Sequence, residues 1–319
     1  MPGLAAGHVL VRVRATGICG SDLDGFLGRS KARVPPLVLG HEFCGVVEKA
    51  HNGSNLRAGQ PVAVYPLIVC GRCRYCLAGR HQICPNRKVY GLDLDGALAE
   101  YVSAPEQCLF PMPAQMSYVE GALVEPLANG LHVLRRCPPL DGLTGVVYGA
   151  GPIGMFALWA AKEHGAARVA VVDVNPHRLS KAGELGADLV LNAAELDSAA
   201  VVKEWTGGLG ADFAIDAVGS SECRANSVRS LAPGGTAVWI GLSGGTAEID
   251  GTAVVRREVE IKGSYAYDFD DFRGALSMLA DKRFPVENVV SRSSLADGQS
   301  IFETLASPNT SLMKVVFEI

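Results

Sequence analysis

The first part of the chain contains short stretches in which apolar and polar residues follow the pattern of β-strands. Residues 8–15 alternate most clearly, and two further β-rich stretches, 43–48 and 61–65, follow turns that contain glycine. Residues 96–102 are predicted as another strand. Short strands, frequent turn residues and few helical periods together predict a small β-barrel-like domain.

From Gly145 onward, apolar strands alternate with helical stretches. The predicted strands are 146–148, 168–173, 189–191, 213–216, 237–241 and 261–263. Six strands with helices between them predict a doubly wound parallel sheet with the strand order 3-2-1-4-5-6. After about Ser264, a helical pattern and a terminal strand, 314–319, are expected to return to the first domain. The predicted fold class is α/β, with a first domain at 1–126 completed by 264–319 and a second at 127–263.

The loop that follows residues 8–15 carries candidate chemistry. Cys19, His41 and Glu42 offer a thiol, an imidazole and a carboxylate, the mixture from which a catalytic zinc takes its ligands while one position stays open. Ser21 lies two residues after the thiol, where a hydroxyl could take a proton from an alcohol. Taken singly, Cys19 and His41 could equally be a packed thiol and a core histidine.

Glu125 precedes a proline in an apolar run, where a carboxylate without a partner is costly. A metal ion would provide that partner. The alternative is a carboxylate at a helix N-terminus, where the helix dipole favours negative charge.

Four cysteines are clustered with the spacing Cys-x₂-Cys-x₂-Cys-x₇-Cys, at Cys70, Cys73, Cys76 and Cys84. Four thiolates so close would repel one another without a cation, and tetrahedral zinc suits four sulfur ligands. Such a closed site leaves no position for a substrate, so its role is structural. An iron–sulfur cluster is the alternative, but nothing else in the chain points to electron transfer.

A glycine-rich turn follows the strand at 146–148 and opens a helix. Its residues are Gly149, Gly151, Pro152, Ile153 and Gly154, and Asp173 lies 24 positions beyond Gly149. This context predicts a dinucleotide site, with the pyrophosphate at the helix N-terminus and Asp173 at the adenosine ribose. A carboxylate there favours NAD over NADP. Arg178 is expected to stack on adenine, or alternatively to meet a 2′-phosphate.

Length and composition are consistent with a two-domain globular protein. The chain has 319 residues, of which 48% are hydrophobic and 19% charged. A formal net charge of −4 without any basic run argues against nucleic-acid binding. No apolar run reaches the ~18 residues of a membrane span, and residues 1–10 do not resemble a secretory signal. We therefore expect no membrane association and a cytoplasmic location, where clustered cysteines bind metal rather than form disulfides.

Taken together, these motifs resemble the zinc-dependent medium-chain dehydrogenase/reductase family, which includes alcohol, sorbitol and threonine dehydrogenases. The resemblance covers nearly the whole chain and implies a GroES-like β-rich catalytic domain, a Rossmann domain and an active site in the cleft between them. It implies that Cys19, His41 and a carboxylate hold the catalytic zinc, and both Glu42 and Glu125 match positions that relatives use. With the structural site, two zinc ions per chain are expected. We also expect a dimer or tetramer of identical chains, and we assign further coenzyme contacts to Val218, Ile240, Gly241 and Leu242.

The chain departs from the family pattern at three places. Relatives usually carry a further strand or hairpin before residue 8, so we expect a shortened edge in the first domain. Many alcohol and threonine dehydrogenases have a histidine where this chain has Asp24. Sorbitol dehydrogenases have a tyrosine in place of Gly25 and an Arg-Tyr pair in place of Ala266-Tyr267. These differences argue against sorbitol itself.

The predicted function is hydride transfer between a secondary alcohol or polyol and NAD. Zinc would bind the substrate oxygen, Ser21 would pass the proton outward, and Asp24 would be the next acceptor. Ser21 and Asp24 could instead be capping residues. Within the family, an L-threonine or sugar-alcohol-phosphate dehydrogenase is the alternative. A zinc-free reductase is disfavoured by the zinc-ligand residues, and a non-catalytic dinucleotide-binding redox sensor remains the hypothesis from another class.

Overall fold

The computed structural model describes residues 1–307 and 310–319. The strands are β1 His8–Gly17, β2 Glu42–Lys49, β3 Pro61–Val64, β4 Leu67–Ile68, β5 Lys88–Val89, β6 Tyr101–Pro105, β7 Leu109–Pro111, β8 Thr144–Tyr148, β9 Arg168–Asp173, β10 Leu189–Asn192, β11 Ala211–Asp216, β12 Leu231–Trp239, β13 Glu260–Gly263, β14 Val290–Ser294 and β15 Lys314–Glu318. The helices are α1 Gly20–Phe26, α2 Arg74–Leu77, α3 Tyr118–Arg136, α4 Pro152–Glu163, α5 Pro176–Glu184, α6 Ser198–Trp205, α7 Ser221–Arg229, α8 Gly251–Arg256, α9 Phe269–Ala280, α10 Val286–Val289 and α11 Gly298–Ala306.

The chain divides into two compact units. One unit comprises Met1–Ala128 and Tyr267–Ile319, and the other comprises Asn129–Ala266. The fold class predicted from the sequence is confirmed, because the first unit is β-rich and the second is built on a parallel sheet.

The first unit is organised around β1. This strand pairs with β2, with β6 and, near its end, with β15, in a sheet whose order is β14-β15-β1-β2-β3-β7. Val9, Val11 and Val13 on β1 are fully buried, as the alternation predicts, and they pack with residues of β2, β3 and β6. A strand held on both sides places the loop after it, which begins with Cys19, at a fixed position.

The strand predicted at 96–102 begins later, at Tyr101. The preceding backbone is irregular because its N–H groups bond elsewhere: Gly96 to the carbonyl of Val38, Ala97 to Gly40 and Leu98 to Leu39, at 2.7–2.9 Å. The segment therefore braces the residues just before His41 and does not extend the sheet.

The second unit contains a parallel sheet with the order β10-β9-β8-β11-β12-β13. In order of sequence within the unit, this is 3-2-1-4-5-6, as predicted. Alternate residues of β8, such as Val146 and Tyr148, are buried in a core with side chains of β9, β11 and α6. None of the helices within residues 1–307 and 310–319 combines the length and apolar character that a membrane span requires.

Candidate active site and metal centres

Cys19 lies between the end of β1 and the start of α1. Its backbone is extended and its thiol is half-buried. His41 immediately precedes β2, and Glu42 is the first residue of that strand; both side chains are buried. The ligand atoms of Cys19, His41 and Glu42 all lie within 4.8 Å of one another. The pairing of β1 with β2 thus brings these three residues together.

These donors fit a zinc ion. Ligands at about 2.0–2.3 Å from one ion lie roughly 3–4 Å apart around a tetrahedron, so only a small contraction separates this arrangement from a bound state. Burial opposes a charge on His41, but the neighbouring Asp22 and Cys19 raise its pKa well above the usual value. The surroundings of the imidazole therefore favour positive charge.

Asp22 orients this cluster, a role that was not predicted from the sequence. Its carboxylate is fully buried, accepts a 3.0 Å hydrogen bond from the Cys19 N–H and lies 3.4 Å from Nδ1 of His41. Burial raises the pKa of Asp22, but His41, the Cys19 N–H and Arg33 outweigh that effect and lower it. An ionised carboxylate on Nδ1 leaves Nε2 for a metal, a common arrangement around zinc-binding histidines. Its position three residues after Cys19 was the signal that could have identified it.

Lys314 is a second residue of the site that was not predicted from the sequence. Its side chain is fully buried, and Nζ pairs with Oε2 of Glu42 and donates a 2.9 Å hydrogen bond to the carbonyl of Ile18. Gly17 makes room for the pair, because a Cβ there would lie 2.2 Å from Oε2 of Glu42. No local signal identifies Lys314, since it lies 272 positions from its partner.

Glu125 lies in the interior of α3 and is buried. The alternative of a carboxylate at a helix N-terminus is therefore wrong, because α3 begins at Tyr118. Tyr267 donates a 2.7 Å hydrogen bond to Oε1 of Glu125, and Tyr65 in turn donates one of 3.0 Å to the carbonyl of Tyr267. Burial raises the pKa of Glu125 to about 7, with His41, Glu42 and Lys314 close enough to influence it.

Ser21 and Asp24 both lie on α1. Ser21 is half-buried in the first turn and Asp24 is exposed further along the helix. Cys19 occupies the capping position, so neither residue caps this helix.

The four clustered cysteines lie around α2 and the short 3₁₀ helix at His81–Ile83. Their sulfur atoms are 3.5 Å apart for Cys73–Cys76, 3.6 Å for Cys84–Cys70 and 3.9 Å for Cys70–Cys76 and Cys73–Cys84. Zinc–sulfur bonds of about 2.3 Å at tetrahedral angles place sulfurs about 3.8 Å apart, whereas a disulfide needs about 2.05 Å. The cluster therefore fits a tetrahedral zinc ion. The backbone N–H groups of Arg72 and Cys73 lower the pKa of Cys70, which favours the thiolate that zinc requires.

The glycine-rich turn joins β8 to α4, and two of its glycines are required by backbone conformation and close contacts. Gly149 has a φ of +102°, and a Cβ on Gly154 would lie 1.8 Å from the carbonyl oxygen of Gly149. Gly151 caps α4 and has open space in front of it, while Pro152 and Ile153 form the first turn of the helix. An open glycine at a helix N-terminus fits a pyrophosphate.

Asp173 ends β9 and lies beside this turn. Its Oδ2 accepts a 2.7 Å hydrogen bond from the Ala150 N–H, and Oδ1 accepts 2.8 Å bonds from the N–H groups of Val174 and Asn175. Three bonds leave about one of the four acceptor positions of a carboxylate for a ribose hydroxyl. Arg178 on α5 has a buried Nε without a hydrogen-bond partner among the described residues.

The remaining predicted coenzyme residues follow β11 and β12. Val218 lies beside the glycine-rich turn, since a Cβ on Gly149 would lie 2.6 Å from its Cγ2. Ile240 and Gly241 are half-buried directly after β12, and Leu242 is 76% exposed. These residues lie at the carboxyl ends of parallel strands, where open α/β sheets bind their ligands.

A β-rich unit followed by a parallel-sheet unit is the arrangement of a known family of dehydrogenases. The family model for the alcohol dehydrogenase GroES-like domain matches residues 5–114, and that for zinc-binding dehydrogenases matches residues 152–281. The chain belongs to the zinc-dependent medium-chain dehydrogenase/reductase family. It is an enzyme of the alcohol dehydrogenase class within that family.

Individual relatives share about a third of their residues with the chain. "Probable D-xylulose reductase A" of Aspergillus terreus is 34% identical over 91% of this chain and 85% of its own. The D-arabitol-phosphate dehydrogenase of Enterococcus avium is 33% identical over 100% of this chain and 92% of its own. A protein from Sinorhizobium meliloti, solved bound to NADP, is 31% identical with a TM-score of 0.91, covering 100% of this chain and 94% of that one.

Proposed function

We propose that the protein oxidises the secondary alcohol group of a polyol or diol to a ketone with NAD, reversibly, at a zinc ion held by Cys19, His41 and Glu42. The observation that carries this proposal is the convergence of a thiol, an imidazole and a carboxylate within 4.8 Å. We assign the third ligand to Glu42 because, among the described residues, its carboxylate is grouped with the donor atoms of Cys19 and His41 and that of Glu125 is not. Zinc in this position supplies Lewis-acid chemistry, which lowers the pKa of a bound alcohol.

The residues around the metal have separate tasks in this proposal. Asp22 fixes the orientation of His41, and Lys314 balances the charge of Glu42. Ser21 accepts the hydroxyl proton of the substrate, and the exposed Asp24 passes it to solvent. A bound nicotinamide coenzyme would supply the hydride acceptor, so that alcohol and NAD⁺ would give ketone, NADH and the proton that Ser21 and Asp24 carry away. Glu125 is the second carboxylate that faces the site.

NAD is proposed rather than NADP because Asp173 would place a negative charge against a 2′-phosphate. The relative from Sinorhizobium meliloti is bound to NADP, so the coenzyme preference of this chain is to be measured directly.

Four cysteines bind the second zinc ion, which gives two per chain. Assembly as a dimer or tetramer completes the proposal.

Polyols are preferred over ethanol in this proposal. The names of D-xylulose reductase and D-arabitol-phosphate dehydrogenase support a polyhydroxylated substrate. A polyol phosphate is the second candidate, because Arg33 packs beside Gly25, where a Cβ would lie 3.0 Å from that of the arginine. Its guanidinium lies 3.8 Å from Asp22, next to His41.

The test combines metal analysis with a substrate panel of diols, pentitols, pentitol phosphates and primary alcohols. Wild-type protein should contain two zinc ions and reduce NAD fastest with a polyol or diol. Cys19→Ala should contain one zinc ion and have no measurable turnover, whereas the matched Cys137→Ala variant should keep both. Full activity and two zinc ions in Cys19→Ala would refute the assignment, and a preference for primary alcohols would refute the substrate class.

A further inference from the structure

Two turn segments meet at the ends of β11 and β12, and Asp216 joins them. Its backbone carbonyl accepts 3.0 Å hydrogen bonds from the N–H groups of Ile240 and Gly241. Its carboxylate is fully buried, and Oδ1 accepts bonds of 3.0 Å from the Val218 N–H and 2.8 Å from the Gly219 N–H. One residue thus fixes the starts of both turns.

The two turns touch backbone to backbone. A Cβ on Gly219 would lie 2.4 Å from the carbonyl of Gly241, and a Cβ on Gly241 would lie 2.1 Å from the nitrogen of Gly219. Their relative position therefore depends on close main-chain contact and on what holds it.

Arg224 on α7 holds this contact from one side. Its Nη2 donates a 3.2 Å hydrogen bond to the carbonyl of Gly241, and Nη1 donates one of 3.3 Å to the carbonyl of Gly245. Nε lies 3.7 Å from Oδ2 of Asp216, and the guanidinium lies 5.5 Å from the ring centre of Trp239. The side chain of Arg224 is only 12% exposed. A single guanidinium thus ties residues 241–245 to Asp216.

The position of these turns relative to the proposed coenzyme site gives them a function. Dinucleotides bind across the point where the strand order reverses, one half on each side. Here the reversal lies between β8 and β11. In the proposed site, the turn at Gly151 binds the pyrophosphate and Asp173 binds the adenosine half, and both residues lie on the side of β8 and β9. The nicotinamide half must then extend over the ends of β11 and β12.

We infer that Arg224 is a positioning residue for the nicotinamide half of the coenzyme, because it holds residues 241–245 against the turn that Asp216 fixes. The inference rests on the proposed function, since it assumes a dinucleotide in this site. An arginine is needed because its planar fork reaches two carbonyls and a carboxylate at once, which a lysine ammonium cannot do.

The test compares two ligands that share the adenosine half. NADH carries the nicotinamide, whereas ADP-ribose has the pyrophosphate and adenosine without it. Calorimetric dissociation constants for both are measured with wild-type protein, Arg224→Met and Arg224→Lys. Arg229→Met is the matched control, because Arg229 lies on the same helix in an exposed ion pair with Asp197. If wild-type protein prefers NADPH, then NADPH and 2′-phospho-ADP-ribose form the pair.

Arg224→Met and Arg224→Lys should weaken NADH by about tenfold, within the usual range of coupling between sites, and change ADP-ribose by less than twofold. Amide hydrogen exchange of residues 241–245 should be faster in both variants. An equal loss for the two ligands, or no loss for either, would overturn the inference while leaving the proposed function intact. Arg224→Lys alone decides the outcome if the methionine variant does not fold. Failure of wild-type protein to bind either dinucleotide would overturn the proposed function and the inference with it.

Discussion

The hydroxyl of Tyr267 donates a 2.7 Å hydrogen bond to Oε1 of Glu125, and both side chains are buried. Tyr267 also packs against Tyr65 and Phe272, with ring centres 5.5 and 6.0 Å away. A buried carboxylate that accepts a hydrogen bond is stabilised in its charged form. Tyr267 therefore limits the rise in pKa that burial causes at Glu125.

Tyr267→Phe should raise the pKa of Glu125, because the donor to its charged form is removed. If an ionised Glu125 supports turnover, the acidic limb of the pH profile of kcat/KM should move to higher pH by about one unit. Tyr65→Phe is the control, since it alters the same aromatic cluster but leaves the Tyr267 hydroxyl in place. An acidic limb that is the same in Tyr267→Phe and wild-type protein would show that the bond does not tune Glu125 during turnover.

Lys314→Met should destabilise the metal-depleted protein by about 3–5 kcal/mol, because Glu42 is left as an unpaired buried charge. The double variant Lys314→Met/Glu42→Gln should recover most of that loss. Urea unfolding measures both free energies. Lys181→Met is the control for an exposed pair with Glu184, where about 0–1 kcal/mol is expected. A double variant as unstable as the single one would contradict this account.

The sequence predicted those parts of the site whose residues are close together along the chain. The four cysteines have their own spacing, and the glycine-rich turn is read together with the strand before it and the helix after it. Lys314 and Tyr267 were not predicted as partners, because 272 and 142 positions separate them from Glu42 and Glu125. Such pairs form only when β15 and α9 are placed by tertiary packing. The late start of β6 has the same origin, since its upstream N–H groups bond to residues 38–40.

Cys73→Ser should lower the zinc content from two ions per chain to one and reduce thermal stability strongly. Structural zinc contributes about 10–16 kcal/mol of apparent binding free energy in small zinc peptides, and Cys73 lies 3.5 Å from Cys76 in the cluster. Metal analysis and calorimetric melting measure the two effects. Cys223→Ser is the control and should change neither the zinc content nor the thermal stability, because Cys223 lies on α7 outside the cluster. Retention of both ions in Cys73→Ser would contradict the closed zinc site.

His51 should stabilise the fold in a pH-dependent way. Both ring nitrogens are bonded, Nδ1 to the carbonyl of Asn52 at 2.9 Å and Nε2 to Oε2 of Glu106 at 2.6 Å. The Asn52 carbonyl and Glu106 raise the pKa of His51 above its usual value. A raised folded-state pKa gives stabilisation that is complete below the unfolded value of about 6.5 and is lost as the pH rises through the folded value.

His51→Gln should therefore lower the melting temperature most near pH 6 and progressively less towards pH 9. Glu106→Gln should reduce the same pH dependence, because the carboxylate partner is removed while the Asn52 contact remains. Melting curves at several pH values measure the difference from wild-type protein. A difference that stays constant, or grows towards pH 9, would show that the imidazolium form does not stabilise this turn.

Asp173→Ser should reduce the preference for NAD over NADP. In wild-type protein the carboxylate is held by the N–H groups of Ala150, Val174 and Asn175, so it cannot easily turn away from a 2′-phosphate. A serine removes the charge and leaves space, and Arg178 nearby has a buried Nε free of hydrogen bonds among the described residues. The double variant Asp173→Ser/Arg178→Met separates the effect of removing the carboxylate from the effect of the arginine. Compared with Asp173→Ser, it should lose the increase in kcat/KM with NADP but keep the decrease in kcat/KM with NAD. The ratio of kcat/KM for the two coenzymes is the measurement. Equal efficiency of wild-type protein with NAD and NADP would contradict the role of Asp173. Repulsion between its carboxylate and a 2′-phosphate should lower kcat/KM with NADP, and equal values would mean that this repulsion has no effect.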